Sequence, residues 1–66
     1  MDILVNGELR AIAPAATVSA LLEQMHLTGK RLAVERNGEI VPKSRHAETQ
    51  LSAGDKLEIV VAVGGG

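Results

Sequence analysis

The amino-acid sequence predicts a two-layer α+β domain in which one helix packs on one face of a mixed sheet of four to five strands. Three features predict it. Two Asn-Gly dipeptides each separate two short strand-like stretches, one segment has apolar residues at helical spacing, and the final strand is apolar on nearly both faces. A helix with a single apolar face needs one sheet to cover. The 66 residues suffice for one such domain.

The chain begins with a predicted β-hairpin. Residues 3–5 and 8–12 are strand-like and flank the dipeptide Asn6-Gly7. Asparagine and glycine tolerate the positive φ angles of a type I′ turn, so this dipeptide is a strong hairpin signal. Pro14 and the small residues around it are predicted to end the second strand.

A helix is predicted after Thr17, because threonine is a common N-cap residue. The apolar residues that follow recur at i, i+3, i+4 and i+7 and share one helical face. They are Val18, Leu21, Leu22 and Met25. Gly29 is the predicted helix stop. The shared face is predicted to lie in the core.

A second hairpin is predicted around the other Asn-Gly dipeptide. Residues 32–36 and 39–41 form its two arms, and Pro42 ends the short second arm, as expected of an edge strand. Residues 44–51 are predicted to form a loop with one helical turn, and residues 53–55 a turn.

The last strand, residues 56–63, is predicted to lie in the middle of the sheet. One face carries Leu57, Ile59, Val61 and Val63, and the other carries Glu58, Val60 and Ala62. A strand that is apolar on nearly both faces is typical of a central position. It is predicted to pair in parallel with the first strand, with a hairpin outward on either side. That arrangement is the β-grasp fold.

The composition excludes several classes of protein. The chain has no cysteine, which excludes disulfide frameworks, thiolate metal sites and iron–sulfur clusters. It has no aromatic residue to stack on bases, and its net charge of −1 gives no basic footprint for nucleic acid. The longest apolar run is too short to span a bilayer, and the N-terminus does not resemble a signal peptide. We therefore expect a cytoplasmic protein that binds neither nucleic acid nor a membrane.

Side chains that could carry catalysis or bind a metal are isolated along the sequence. His26 and His46 have no third ligand at metal-like spacing, so no metal site is predicted. The serines lack an organised base, so no catalytic residue is predicted. Residues 43–46 form a small basic cluster that is predicted to be solvated. The alternative is that this cluster pairs with an acidic patch on a partner.

The most informative segment is the C-terminal tail, Gly64-Gly65-Gly66. Because glycine has no Cβ atom, three successive glycines make a thin, flexible peptide that can enter a narrow cleft in a partner enzyme. The α-carboxylate of Gly66 is ionised at neutral pH and can act as an oxygen nucleophile. We therefore predict a domain at residues 1–63 and a flexible tail at residues 64–66. The alternative is a frayed chain end without a role.

Several stretches that are individually weak signals form a strong set at this spacing. They are residues 3–8, 17–18, 21–23, 33–35, 37–42 and 54–55, together with the closing Gly-Gly. Taken together, they make the whole chain resemble the ThiS family of ubiquitin-like sulfur carriers. Residues 37–42 favour the thiamine-biosynthesis type within that group. Many members of the family have a tryptophan where this chain has His46.

The resemblance implies a protein that catalyses nothing itself and binds no cofactor. A ThiF-type adenylating enzyme would use ATP to adenylate the Gly66 carboxylate. Sulfur from a donor such as a cysteine desulfurase would then replace AMP. The resulting C-terminal thiocarboxylate would give its sulfur to a ThiG-type thiazole synthase, which builds the thiazole ring of thiamine. Since the chain has no cysteine, its terminus is where sulfur would be carried.

Three other functions stay open at this point. A sulfur carrier for molybdopterin or amino-acid synthesis would use the same tail and the same kind of first enzyme. A ubiquitin-like modifier would be joined through Gly66 to a lysine of another protein. A β-grasp adaptor would make no use of the tail, because fold alone does not decide function.

A docking surface is predicted on the sheet face that the helix does not cover. Strand alternation places Leu4, Val60 and Ala62 there, on adjacent central strands. Ordering each tail glycine costs about 1–2 kcal/mol, so a partner needs contacts elsewhere on the domain. Exposed apolar clusters often mark such contacts, although single surface hydrophobics are common.

Overall fold

The computed structural model describes residues 1–62 as a five-stranded mixed sheet with one α-helix on one face. The strands are β1 (Asp2–Val5), β2 (Glu8–Ala11), β3 (Leu32–Arg36), β4 (Glu39–Val41) and β5 (Lys56–Val61). Helix α1 spans Val18–Gln24, and a short 3₁₀ helix spans Lys43–Arg45. The predicted domain boundary after residue 63 lies outside the described residues. Across residues 1–62, no helix has the length and apolar character needed to cross a bilayer.

The sheet has the strand order β2-β1-β5-β3-β4. β5 is parallel to β1 and antiparallel to β3, and each outer strand belongs to a hairpin. The predicted central position of the last strand and the β-grasp topology are both confirmed. Because β5 is central, its backbone is hydrogen-bonded to a strand on each side near its start.

The core lies between the sheet and α1. The helix buries Val18, Leu21 and Leu22, and Met25 packs partly buried against the same cluster, so the predicted apolar face is confirmed. The sheet contributes alternate residues of its central strands. The buried core consists of Ile3, Val5, Ile12, Val18, Leu21, Leu22, Val34, Val41, Leu51, Leu57 and Ile59. It is aliphatic throughout.

Both Asn-Gly turns have the geometry that the sequence predicts. Asn6 and Gly7 have φ angles of 52° and 82°, and Asn37 and Gly38 have φ angles of 51° and 87°. Two successive positive φ values are the signature of a type I′ turn, which matches the twist of the flanking strands. The predicted N-cap is also confirmed, because the Thr17 hydroxyl accepts a hydrogen bond from the Ala20 N–H at 3.1 Å.

Helix α1 ends earlier than predicted, at Gln24 rather than near Gly29. The chain turns at His26, which has a φ of 59°. The His26 N–H donates to the Glu23 carbonyl at 3.0 Å, and the Leu27 N–H donates to the Leu22 carbonyl at 2.8 Å. These two bonds form a Schellman motif. Leu27 packs against the core after the turn, which explains why the helix stops without a glycine.

Replacing His26 with glycine is expected to raise the free energy of unfolding by about 0.5–1 kcal/mol. Glycine removes the Cβ that crowds the left-handed conformation at this position, which outweighs its greater freedom in the unfolded chain. Urea denaturation of the variant measures the gain. His26→Ala is the matched control, since it removes the imidazole and keeps the Cβ. Equal stability of the two variants would contradict the explanation.

The predicted solvation of residues 43–46 is wrong for His46. Lys43 and Arg45 are exposed, whereas His46 is only 7% exposed. Its Nε2–H donates to the Val41 carbonyl at 3.0 Å, and its backbone carbonyl accepts from the Ser19 N–H at 3.0 Å. The imidazole is buried here because its polar edge has a partner, which removes the main cost of burying it.

Candidate functional site

The candidate site is the end of β5 and the tail that follows it. The predicted tail residues Gly64, Gly65 and Gly66 lie outside the described residues. The site is therefore described as far as Ala62, where the chain leads into the tail.

β3 supports β5 to the end of the described chain. The register pairs Leu32 with Val61 and Ala33 with Val60. One residue further along, the Ala62 N–H donates to the Arg31 carbonyl at 2.9 Å. The backbone is therefore hydrogen-bonded to β3 and to the residue before it as far as Ala62, the last described residue.

The side chain of Asn6 supports β5 from the other side. β1 pairs with β5 at Leu4–Lys56 and Val5–Leu57 and then turns away. Beyond that point the Asn6 amide bonds both backbone groups of Ile59. Nδ2 donates to the carbonyl at 3.1 Å, and Oδ1 accepts from the N–H at 2.8 Å. Because a side-chain amide offers one donor and one acceptor side by side, it continues the ladder where the strand has ended.

The start of β5 is held by a buried carboxylate, Asp55, which is 6% exposed. Its oxygens accept hydrogen bonds from the Ser52 N–H at 2.8 Å, from Arg36 Nε at 2.8 Å and from Asn37 Nδ2 at 3.1 Å. Burial alone would raise the pKa of Asp55. The hydrogen bonds from Ser52, Asn37 and the Arg36 guanidinium outweigh it and hold the pKa below its ordinary value.

Asn37 completes this attachment of the second hairpin to β5. Its Oδ1 accepts from the Lys56 N–H at 2.9 Å, while its backbone N–H donates to the Lys56 carbonyl at 2.8 Å. The two turn asparagines thus bond β5 at different positions along the strand, Asn6 at Ile59 and Asn37 at Lys56. Sequence reasoning identified both as turn residues and missed these roles, along with the role of Asp55.

All three residues of the predicted docking surface lie on the sheet face away from α1. Leu4 alternates with buried Ile3 and Val5, and Val60 alternates with buried Ile59. The register separates them, however, because Leu4 lies opposite Lys56. Val60 is four residues further along β5, which places it about 13 Å away at ~3.3 Å per residue. Leu4 and Val60 therefore form two separate contact areas, with Ala62 near the second.

The open face carries more apolar surface than the sequence analysis identified. Its exposed large hydrophobics are Leu9, Ile40 and Val60, which are 71%, 63% and 65% exposed. Leu9 lies opposite Leu4, and Ile40 lies opposite Glu35. Side chains alternate between the two faces along each strand of a hairpin. Applying this alternation to the outer strands as well would have placed Leu9 and Ile40 on this face. The docking role of the face stays a prediction.

The substitution Val60→Glu is expected to weaken binding to an activating enzyme about tenfold or more, because it places a charge on an apolar contact. The fold should be unchanged, since this side chain is exposed. Isothermal titration measures the affinity. Ala47→Glu adds the same charge at an exposed position outside the sheet and is the control. Equal affinity of both variants would remove Val60 from the docking surface.

No metal centre is built by the described part of the chain. Within residues 1–62, no three histidine, aspartate or glutamate side chains lie together in a way that could hold a metal ion. His46 is bonded to the backbone, and His26 lies in the turn after α1.

The strand order, with the last strand at the centre of the mixed sheet and one helix on one face, defines a ubiquitin-like β-grasp domain. A family model described as "ThiS family" matches residues 3–66, and the chain belongs to that family. The structure is similar to the crystal structure of the thiamine biosynthesis protein ThiS from Geobacter metallireducens. The TM-score is 0.84 at 29% identity, and both chains are covered completely.

Two curated relatives differ in length. A thiazole synthase from Paramagnetospirillum magneticum is 48% identical over 66 residues, which is 100% of this chain and 20% of the synthase. The sulfur carrier protein ThiS of Bacillus subtilis is 46% identical over 50 residues, which is 76% of each chain. The chain thus spans about a fifth of the length of the first relative and most of the length of the second.

Proposed function

We propose that this protein is a sulfur carrier for the thiazole ring of thiamine and that it works in the cytoplasm. An ATP-dependent activating enzyme of the ThiF type adenylates the Gly66 carboxylate. A sulfur donor such as a cysteine desulfurase then supplies sulfur, and the C-terminal thiocarboxylate gives that sulfur to a thiazole synthase. The protein acts as a cosubstrate and binds no cofactor of its own.

The observation that carries the proposal is the family match through Gly66. The match includes the glycine tail as well as the fold, and the tail is the segment on which this chemistry depends. The Bacillus subtilis relative is named a sulfur carrier protein, and the Geobacter metallireducens structure is named a thiamine biosynthesis protein. Both names agree with the proposal.

Two thiazole synthases support the choice of acceptor. The relatives from Paramagnetospirillum magneticum and Magnetococcus marinus each contain a stretch that is similar to the whole of this chain, at 48% and 32% identity. In each case that stretch makes up 20% of the synthase. A carrier-like domain within a synthase favours a thiazole synthase over a molybdopterin or amino-acid enzyme as the partner.

The chemistry requires activation because a carboxylate does not exchange oxygen for sulfur by itself. A Gly66 oxygen attacks the α-phosphorus of ATP and pyrophosphate leaves, which gives an acyl-adenylate. A sulfur nucleophile then attacks the acyl carbon and AMP leaves. With hydrogen sulfide as the nucleophile, the product is the thiocarboxylate itself. With the persulfide of a cysteine desulfurase, the product is an acyl disulfide, which a second thiol reduces to the thiocarboxylate while the two thiols form a disulfide. The carrier supplies the acyl group and the enzyme supplies the catalytic groups.

The geometry suits a presented terminus. Ala62 is bonded to Arg31, the residue before β3, and Ile59 is bonded to Asn6, so the chain is held by hydrogen bonds as far as Ala62. From Val63, a fully extended tail reaches about 10 Å at ~3.3 Å per residue. A partner can therefore bind the sheet and place Gly66 in an active site at that depth.

Complementation tests the proposal. A bacterial strain that lacks its own thiazole sulfur carrier needs added thiazole to grow, and this chain should remove that need. Deleting Gly65 and Gly66 should abolish the rescue while the domain stays folded. Rescue by the shortened chain would instead identify an adaptor that makes no use of its tail.

A further inference from the structure

A groove of about 800 Å³ opens at one edge of the sheet, beside Ala62, the last described residue. We call it the edge groove. Its apolar part includes Leu22, Leu27 and Leu32, and its cations are Lys30, Arg31 and Lys43. Val60 and Ala62, which belong to the predicted docking surface, also line it. A ligand in the edge groove would therefore contact the base of the tail.

Part of this edge is a strand without a neighbour. β4 ends at Val41, opposite Val34, so β4 does not extend as far as Leu32. In an antiparallel pair, only every second residue of a strand directs its backbone N–H and carbonyl towards the neighbouring strand. The bond from Ala62 to Arg31 shows that Arg31 is such a residue towards β5, so Leu32 is not. The backbone N–H and carbonyl of Leu32 therefore point away from β5, towards the edge. Such groups can pair with an extended segment of another chain.

The charge of the edge groove differs from that of the chain as a whole. Three cations line it with one carboxylate, Glu23, whereas the whole chain has a net charge of −1. Within residues 1–62, the ion pairs are Arg36–Asp55 and Arg45–Glu48. None of the three groove cations takes part in them. A partner with carboxylates would supply the missing opposite charge.

We infer that the edge groove binds an acidic, extended segment of a protein partner. This inference rests on the proposed function, because it extends the predicted docking surface, from Val60 and Ala62 into the edge groove, for one of the enzymes that handles the tail. Carboxylates of the segment pair with Lys30 and Lys43, apolar side chains contact the leucines, and its backbone pairs beside Leu32. The partner thereby holds the chain on the side from which the tail leaves.

The chain's own tail is a poorer occupant than a partner. Its carboxylate could pair with the same cations, but each of its three glycines would have to be ordered. The entropy cost of ordering those residues exceeds the return from an exposed ion pair. A segment of a folded partner is already partly ordered, so it loses less freedom on binding.

Charge reversal at Lys43 tests the inference. The cognate activating enzyme and the cognate thiazole synthase are titrated with Lys43→Glu and Lys30→Glu at two salt concentrations. We expect at least one of the two enzymes to lose about tenfold in affinity or more, with a weaker salt dependence than for the unmodified chain. Arg45→Glu is the control, because Arg45 is also an exposed cation, belongs to the same 3₁₀ helix and does not line the groove.

Three results would overturn the inference. The first is unchanged affinity of both enzymes for Lys43→Glu and Lys30→Glu. The second is an equal loss with Arg45→Glu. The third is displacement of the bound enzyme by AMP or inorganic phosphate with NMR shifts at the groove, which would identify a small-anion site.

Thiocarboxylate formation at saturating enzyme is measured in parallel. If the variants form the thiocarboxylate and bind both enzymes with unchanged affinity, the groove inference is wrong and the proposed function stands. If the unmodified chain forms no thiocarboxylate, the proposed function itself is refuted.

Discussion

Replacing Asp55 with alanine is expected to lower the free energy of unfolding by about 2–4 kcal/mol. The change leaves the Ser52 N–H, the Arg36 guanidinium and the Asn37 amide without their acceptor. Domains of this length have a total stability of only about 3–10 kcal/mol, so the variant should lose a large share of it. Urea denaturation followed by circular dichroism measures the loss.

The control for this prediction is Glu48→Ala. It breaks an ion pair with Arg45 at 3.4 Å in which both side chains are exposed, so it should change stability by less than about 0.5 kcal/mol. The comparison separates a buried, hydrogen-bonded carboxylate from an exposed one. A loss for Asp55→Ala no larger than the loss for Glu48→Ala would show that the network around Asp55 does not stabilise the fold.

The same carboxylate should make stability depend on pH in the acid range. Burial favours the protonated form, but the bonds from Ser52, Asn37 and Arg36 prevail and lower the pKa of Asp55 from its ordinary value of 3.8. A lowered pKa means that the carboxylate contributes stability above the unfolded-state value of about 3.9, and that this contribution is lost as the pH falls through the folded-state value. Asp55→Asn should therefore lose less stability than the unmodified chain on acidification. An equal loss would assign the acid sensitivity to other groups.

The substitution Gly65→Val is expected to reduce the rate of thiocarboxylate formation about a hundredfold or more, because a misplacement of about 1 Å in an active site can cost that much. Valine adds a branched side chain next to the reacting terminus and restricts the backbone there. Stability should not change. Intact-protein mass spectrometry during a single turnover with the activating enzyme measures the rate.

Ala47→Val is the control for the tail variant. It adds the same side chain at an exposed position outside the helix and the sheet, so the rate should equal that of the unmodified chain. A Gly65→Val variant that reacts at the full rate would mean that the partner cleft does not need an unbranched tail. The glycines would then serve some other purpose.

The sequence predicted the fold well because its strongest signals are local. The Asn-Gly dipeptides, the cap at Thr17 and the apolar face of α1 all depend on residues close together in the chain, and the structure confirms them. The two-sided apolar character of β5 was enough to place it at the centre of the sheet. These features do not require knowledge of distant contacts.

The features that the sequence did not predict depend on contacts between distant residues. Asp55 meets Arg36, 19 residues away, only because β3 and β5 are neighbours. The helix stops before His26 because Leu27 reaches the core. Alternation predicted the face of Leu4 and Val60, but the distance between them depends on the register of a parallel pair, which alternation does not determine.

The most direct test of the central claim is the intact mass of the protein after incubation with ATP, a cognate activating enzyme and sulfide. We predict a mass increase equal to the replacement of one oxygen by one sulfur. The increase should be absent without ATP and absent when Gly66 is deleted. An unchanged mass, with an enzyme shown to be active on another carrier, would contradict the account and leave a β-grasp adaptor or a protein modifier.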